Sequence, residues 1–184
     1  MPGMGLTKQE QDLLLKIARK SIEAGLTGEG IPPPEIKSDT LKEKMGAFVT
    51  LKKQGRLRGC IGFIEGKKPL YETVEEMARA AAFRDPRFRP VREDELRHLD
   101  IEISALTPLK QIHDIDEIEV GRHGLYLVKG CCSGLLLPQV ATEYNWDRMT
   151  FLKETCMKAG LPEDAWKDTD AQIFIFSAHV FSEG

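Results

Sequence analysis

The sequence contains no long hydrophobic run. No stretch approaches the ~20 consecutive apolar residues that a membrane span requires, and the opening MPGMGLT lacks the basic start and apolar core of a signal peptide. We therefore expect an intracellular, cytoplasmic protein that does not bind membranes.

Cysteine and histidine are also scarce. Four cysteines and four histidines are spread over 184 residues, without the CxxC or HxxxH spacing of a metal site. We predict reduced thiols, because the cytosol keeps thiols reduced, and neither a metal nor a cofactor. We interpret the histidines as surface or packed residues rather than bases; they are His98, His113, His123 and His179.

The chain lacks a large excess of charge of either sign. Its formal net charge is −3, so any binding of nucleic acid requires a local basic patch. Hydrophobic residues make up 41% and charged residues 30%, which is typical of a folded protein. We treat residues 1–184 as a single domain.

Hydrophobic periodicity predicts three helices. TKQE at 7–10 matches a capping box, and the helix that it opens is predicted to end at Gly25. Apolar residues at helical spacing predict a second helix over 71–83, which Pro86 stops. A third helix is predicted over 151–159.

Several segments show strand patterns. Residues 46–51 and 57–64 predict a hairpin, and the segment 171–181, apolar on both faces, predicts a single central strand. The other predicted strands are 99–104, 124–128 and 135–137. Because these strands and helices do not alternate regularly, we predict an α+β fold with an antiparallel sheet flanked by helices.

The first candidate site is LRGCIG at 57–62. Gly59 and Gly62 would let a ligand or another backbone approach closely. Cys60 is a candidate nucleophile, and Arg58, two positions away on the same strand face, is a candidate for stabilising its thiolate. The alternative is a buried structural cysteine next to a bulge marked by the glycines.

The second candidate site is the arginine loop, residues 84–92. Its arginines alternate with aromatic and proline residues, a pattern suited to binding phosphates and stacking bases. The alternative is a solvated loop whose charges pair locally. The candidate residues here are Arg84, Asp85, Arg87, Phe88, Arg89 and Arg92. A third candidate is Gln139, whose amide could line a cleft together with Trp146.

Five ordered stretches together resemble the AMMECR family. They are LRGCIG at 57–62, AAFRDPRF at 81–88, LDIEISALTP at 99–108, LLLPQVA at 135–141 and NWDRMTFLKETCMKAGLP at 145–162. The resemblance implies two unequal α+β lobes, the larger built from both chain ends, with a smaller lobe inserted in the middle. It also implies partnership with a Memo-type protein and a radical-SAM protein, and it favours Arg58, Gly59, Cys60 and Gly62 as the site.

Three functional hypotheses follow. The chain is a partner-binding subunit of a modification system, which we rank first because no base for Cys60 can be identified from spacing. Alternatively, it is an enzyme that uses Cys60, with Arg58 beside the thiolate and the arginine loop shaping the cleft. The third hypothesis is a nucleic-acid or nucleotide binding protein that uses the arginine loop.

Overall fold

A computed structural model describes residues 5–184. The α-helices are α1 (Lys8–Thr27), α2 (Asp39–Lys42), α3 (Leu70–Phe83), α4 (Pro138–Glu143) and α5 (Arg148–Lys158). The strands are β1 (Gly46–Lys53), β2 (Arg56–Phe63), β3 (Leu99–Leu106), β4 (Lys110–Ile112), β5 (Gly124–Lys129), β6 (Cys132–Leu136), β7 (Gln172–Phe176) and β8 (Ala178–Ser182). Short 3₁₀ helices cover Glu93–His98, Ile115–Glu117 and Ala165–Lys167.

The chain divides into two compact units. The first runs to Leu106 and resumes at His179–Gly184, and the second spans Thr107–Ala178. The first contains a sheet of order β2-β1-β3-β8, and the strands of the second have the order β4-β7-β5-β6. All the strand pairs defined residue by residue are antiparallel, which confirms the predicted α+β fold.

The core of the first unit lies between its sheet and the helices α1 and α3. Strand β1 shows why: Ala47, Val49 and Leu51 are fully buried, whereas Phe48 and Thr50 are only half-buried. This alternation places the apolar residues of β1 on the helix-facing side, as the period of two in a strand requires. The opposite face therefore carries Thr50 and the residues paired with it.

Helix α1 begins as predicted and ends later than predicted. The capping box is present, with the Thr7 side chain accepting from the Glu10 amide. The helix continues through Gly25 and ends at Gly28, which adopts φ 75°. A Cβ at Gly25 would collide with the ring of Phe83, so this glycine permits close packing of α1 against α3 rather than terminating the helix.

The predicted hairpin is confirmed and contains a bulge. Gln54 and Gly55 have φ of 53° and 75°, the positive values that a two-residue type I′ turn requires. The register of the two strands shifts between Leu51 and Lys52, which pair with Gly59 and Leu57. Arg58 is therefore the extra residue of a β-bulge.

The second unit packs α5 against its sheet. Phe151, Leu152 and Cys156 of α5 are fully buried, as the predicted helical face requires. The predicted strand over 135–137 begins earlier, at Cys132, because a two-residue turn at 130–131 lets it pair with Lys129 of β5. Helix α4 and strand β4 have no counterpart among the predicted elements.

The prediction of one central strand over 171–181 is wrong. The segment forms two strands: β7 is central in the second sheet, and β8 is at the edge of the first. Between them, the Ser177 amide donates to Thr107 Oγ1 at 2.8 Å, and the Ser177 carbonyl accepts from the Thr107 amide at 2.9 Å. These bonds to Thr107, 70 residues earlier in the chain, take Ser177 out of both ladders.

Within residues 5–184, no helix has the length and apolarity needed to cross a lipid bilayer.

Candidate functional site on strand β2

The LRGCIG stretch lies on β2, an edge strand of the first sheet. A Cβ at Gly59 would collide with the carbonyl oxygen of Ala81 in α3. A Cβ at Gly62 would collide with the Phe48 ring and the Ala47 carbonyl. In this structure both glycines therefore allow close approach of protein atoms, one from a helix and one from the neighbouring strand.

Arg58 does not follow the alternation from which we placed it beside Cys60. Because it is the extra residue of the bulge, Leu57 pairs with Lys52 and Cys60 pairs with Thr50. The guanidinium of Arg58 instead donates from Nε and Nη2 to the two oxygens of Glu95, both at 3.0 Å. Arg58 is thus committed to a carboxylate of the 3₁₀ helix Glu93–His98.

Cys60 lies on the sheet face opposite the helices. Its Sγ is 3.2 Å from Thr50 Oγ1, and Thr50 also pairs with Glu102 of β3. Burial raises the pKa of the Cys60 thiol above its ordinary value, although the Thr50 hydrogen bond and the positive charge of Arg87 act in the opposite direction. Asp85 and Glu102 raise the pKa further. This environment favours the neutral thiol over the nucleophilic thiolate.

The main chain of Cys60 is held by an ion pair from the arginine loop. Its amide donates to Asp85 Oδ2 at 2.9 Å, and its carbonyl accepts from Arg87 Nη2 at 3.4 Å. Asp85 also accepts from the amide, Nε and Nη2 of Arg87. The two side chains thus satisfy the outward-facing polar groups of an edge strand, where a further strand would otherwise pair. We call this arrangement the Asp85–Arg87 clamp.

The clamp carboxylate is buried and strongly ionised. Only 4% of Asp85 is exposed, and four N–H groups donate to it. The hydrogen bonds from Arg87 hold the pKa of the Asp85 carboxyl well below its ordinary value, despite the opposing effect of burial. Asp85 therefore acts as a permanent acceptor, with no proton to give at neutral pH.

A second carboxylate organises the hairpin end of β2. Glu95 accepts from Arg58, from Lys53 Nζ at 3.1 Å and from the Arg92 amide at 3.0 Å. These interactions, led by the hydrogen bonds from Arg58, lower the pKa of Glu95 to about 2. The arrangement anchors both strands of the hairpin to the segment that follows α3.

Most charges of the arginine loop have partners. Arg87 pairs with Asp85 at 2.8 Å, and Arg92 pairs with Asp94 at 2.8 Å. The Phe88 ring lies 5.4 Å from the guanidinium carbon of Arg87 and 6.0 Å from that of Arg58. Arg84 and Arg89 are exposed and make no ion pair with any residue of 5–184.

The remaining candidates lie elsewhere. Gln139 is on α4 of the second unit, whereas β2 and the arginine loop belong to the first. Trp146 stacks on Tyr144 at 5.0 Å. His98 and His113 are exposed, the His123 ring accepts from the Glu119 amide, and the His179 ring accepts from the Leu6 amide. In the part of the chain described, no histidine hydrogen-bonds to Cys60, and no three His, Cys, Asp or Glu residues are grouped to hold a metal.

Comparison with known proteins identifies the family. The AMMECR1 family model matches residues 15–181. The chain belongs to the AMMECR1 family. A Methanopyrus kandleri protein is 46% identical, with 98% of this chain and 92% of that protein covered, and a Thermococcus gammatolerans protein is 48% identical, with 94% and 89% covered. The crystal structure of an uncharacterized protein from Pyrococcus horikoshii matches with a TM-score of 0.84 at 45% identity, covering 93% of this chain and 90% of that chain. These findings confirm the resemblance to the AMMECR family.

Three residues at the site of this AMMECR1 chain were not predicted from the sequence. Thr50, Glu95 and Glu102 surround Cys60 and Arg58, yet they come from β1, a 3₁₀ helix and β3. Glu102 belongs to the LDIEISALTP stretch that carries the resemblance, and its alternation with buried neighbours placed it on the polar face of a strand. Nothing in the sequence paired Glu95 with Arg58, because 37 residues separate them.

Proposed function

We propose that this AMMECR1 chain is a partner-binding subunit of a modification system that acts with a Memo-type protein and a radical-SAM protein. The observation that carries the proposal is the environment of Cys60. Among residues 5–184 the thiol, whose pKa is raised, hydrogen-bonds only to Thr50, while Asp85 and Arg87 bond to the main chain of Cys60. Neither Thr50 nor Arg87 can take up a proton at neutral pH, and the depressed pKa of Asp85 makes its carboxylate a poor base. A subunit that supplies a surface rather than a nucleophile fits this chemistry.

Strand β2 also offers apolar contact surface. Leu57 and Phe63, near the two ends of the strand, are 44% and 43% exposed. The aromatic ring of Phe88 lies close by, beside Arg58 and Arg87. Aromatic residues and arginines are enriched in protein interfaces, and Leu57 adds exposed apolar area beside them.

The test is reconstitution from purified components. The full chain is mixed with a Memo-type protein and a radical-SAM protein encoded beside an AMMECR1 gene, and binding is measured by biolayer interferometry. We expect Leu57→Glu combined with Phe63→Glu to weaken binding by at least about tenfold, because each change removes an anchor residue. Val180→Glu is the matched control, since Val180 is 40% exposed on β8, at the other edge of the same sheet.

Three outcomes would overturn the proposal. Equal effects of the β2 and Val180 variants, or no binding to either protein, would contradict it. If Cys60→Ser abolishes the activity of the reconstituted mixture while binding persists, Cys60 takes part in chemistry and the enzyme hypothesis replaces ours.

The enzyme hypothesis has one observation in its favour. The Thr50 hydrogen bond and the positive charge of Arg87 both lower the pKa of Cys60, although burial outweighs them. A partner or substrate that displaced Asp85 from Arg87 would increase that cationic effect. The nucleic-acid hypothesis has less support, because Arg87 and Arg92 are each neutralised by a carboxylate. Arg84 and Arg89 are then the only loop arginines without an ion pair among residues 5–184, in a chain of formal net charge −3.

A further inference from the structure

A separate cavity lies in the first unit, between α3 and the three consecutive prolines at 32–34. Its volume is about 470 Å³, within the range of small-molecule sites. Tyr71, Glu75, Arg79 and Arg84 line it from α3 and its end, and the prolines form the apolar wall. Of these residues only Arg84 belongs to the arginine loop, and none contacts Cys60 or Arg58.

The cavity contains charges without partners. Lys68 pairs with Glu76, and Tyr71 donates to Glu72, so those groups are satisfied. Among residues 5–184, by contrast, no side chain pairs with Glu75, Arg79 or Arg84, and the Nε of Arg79 is buried without an acceptor. Arg79 and Arg84 thus place two guanidinium groups without carboxylate partners at the wall of the cavity, and such groups favour an anion.

Glu75 and Arg79 would be expected to pair with each other. They lie four residues apart on α3, with the acidic residue nearer the N-terminus, which is the favourable order for a helical ion pair. The pair does not form in the structure, so one negative and one positive group remain available at the wall of the cavity. A ligand that carries both charges would satisfy both.

We infer that this cavity binds a short zwitterionic peptide of dipeptide size. Its carboxylate pairs with Arg79 and Arg84, its ammonium pairs with Glu75, and its apolar side chains pack on the prolines at 32–34. Two residues extend to at most about 7 Å, a length that a cavity of about 470 Å³ admits, whereas a free amino acid reaches half as far. The inference is independent of the function proposed for β2.

The test is isothermal titration calorimetry of the full chain with leucyl-leucine. We expect saturable binding with a Kd below about 1 mM. N-acetyl-leucyl-leucine lacks the ammonium, leucyl-leucine amide lacks the carboxylate, and leucine lacks the length. Each of these is expected to bind at least about tenfold more weakly. No saturable binding of leucyl-leucine up to about 10 mM would overturn the inference.

Protein variants locate the site. Arg79→Leu is expected to weaken leucyl-leucine binding at least about tenfold, whereas Arg97→Leu, an exposed arginine outside the cavity, is expected to leave it unchanged. Glu75→Gln should remove the preference for leucyl-leucine over its N-acetyl form. Circular dichroism checks that each variant is folded. Unchanged binding by Arg79→Leu, or an intact preference in Glu75→Gln, would overturn the assignment.

Discussion

Replacing Asp85 by alanine tests whether the clamp holds the edge of β2. The Cys60 amide faces outward, and Asp85 is its acceptor at 2.9 Å. Hydrogen bonds to charged groups contribute about 1.5–3 kcal/mol, so their loss should speed local exchange of this amide by about ten- to a hundredfold. Hydrogen exchange followed by NMR reads the Cys60 amide directly. The Ile61 amide, which faces β1, serves as an internal reference.

The same variant predicts a pH dependence with a definite sign. The pKa of Asp85 is depressed in the folded chain, so its stabilising effect is fully present above the unfolded pKa of about 3.9. That effect is lost as the pH falls through the lower pKa of the folded state. In urea unfolding followed by circular dichroism, the difference in free energy of unfolding between wild type and Asp85→Ala should therefore become smaller as the pH falls below about 4. We call this difference the gap. Asp94→Ala, which removes an exposed carboxylate of the same segment, should show little gap at any pH. A gap that does not change with pH would refute the assignment of Asp85 as an ionised acceptor.

Three further predictions concern neighbouring residues. The rate of Cys60 alkylation, measured against pH, should reach half its maximum at a pH above the pKa of ~8.5 of a free thiol, because burial raises the pKa of Cys60. A midpoint at a lower pH would mean an activated thiolate. Glu95→Gln should lower the free energy of unfolding by about 1–2 kcal/mol at pH 7. Because the pKa of Glu95 is depressed to about 2 in the folded chain, this loss should fade as the pH falls from about 4.5 to about 2. An equal effect of Glu93→Gln would contradict this. Gly59→Ala should destabilise the chain by about 1–3 kcal/mol through collision with α3, whereas Gly30→Ala, which has open space, should not, and equal urea midpoints would contradict this.

Local patterns predicted the elements whose signals are short-ranged. The capping box at the start of α1 and the apolar alternation of β1 and β3 each depend on residues within a few positions of one another. The end of α1 was predicted too early because Gly25 lies against the ring of Phe83 in α3 and does not terminate the helix. The final strand was misplaced because Ser177 pairs with Thr107, 70 residues away. These errors share one cause, a long-range contact that overrides a local signal.

The candidate site also depends on long-range contacts that local sequence patterns cannot predict. LRGCIG could be singled out because two glycines within a strand are unusual. The direction of Arg58 could not be predicted, because a single extra residue in a strand changes which side chains share a face. The partners of the motif, Asp85 and Glu95, lie 25 and 37 residues further along the chain. Only the folded arrangement of α3 and the segment after it brings them to β2.

The contacts of β2 favour a structural interpretation of LRGCIG over a catalytic one. Gly59 accommodates the Ala81 carbonyl, Gly62 accommodates Phe48, and Arg58 is held by Glu95. The main chain of Cys60 is held by Asp85 and Arg87, and its side chain is 3.2 Å from Thr50 Oγ1. These contacts give the motif a structural role, which is to form an edge strand that the Asp85–Arg87 clamp covers. Burial raises the pKa of the Cys60 thiol and outweighs the Thr50 hydrogen bond and the charge of Arg87, so the site favours the neutral thiol over the nucleophilic thiolate.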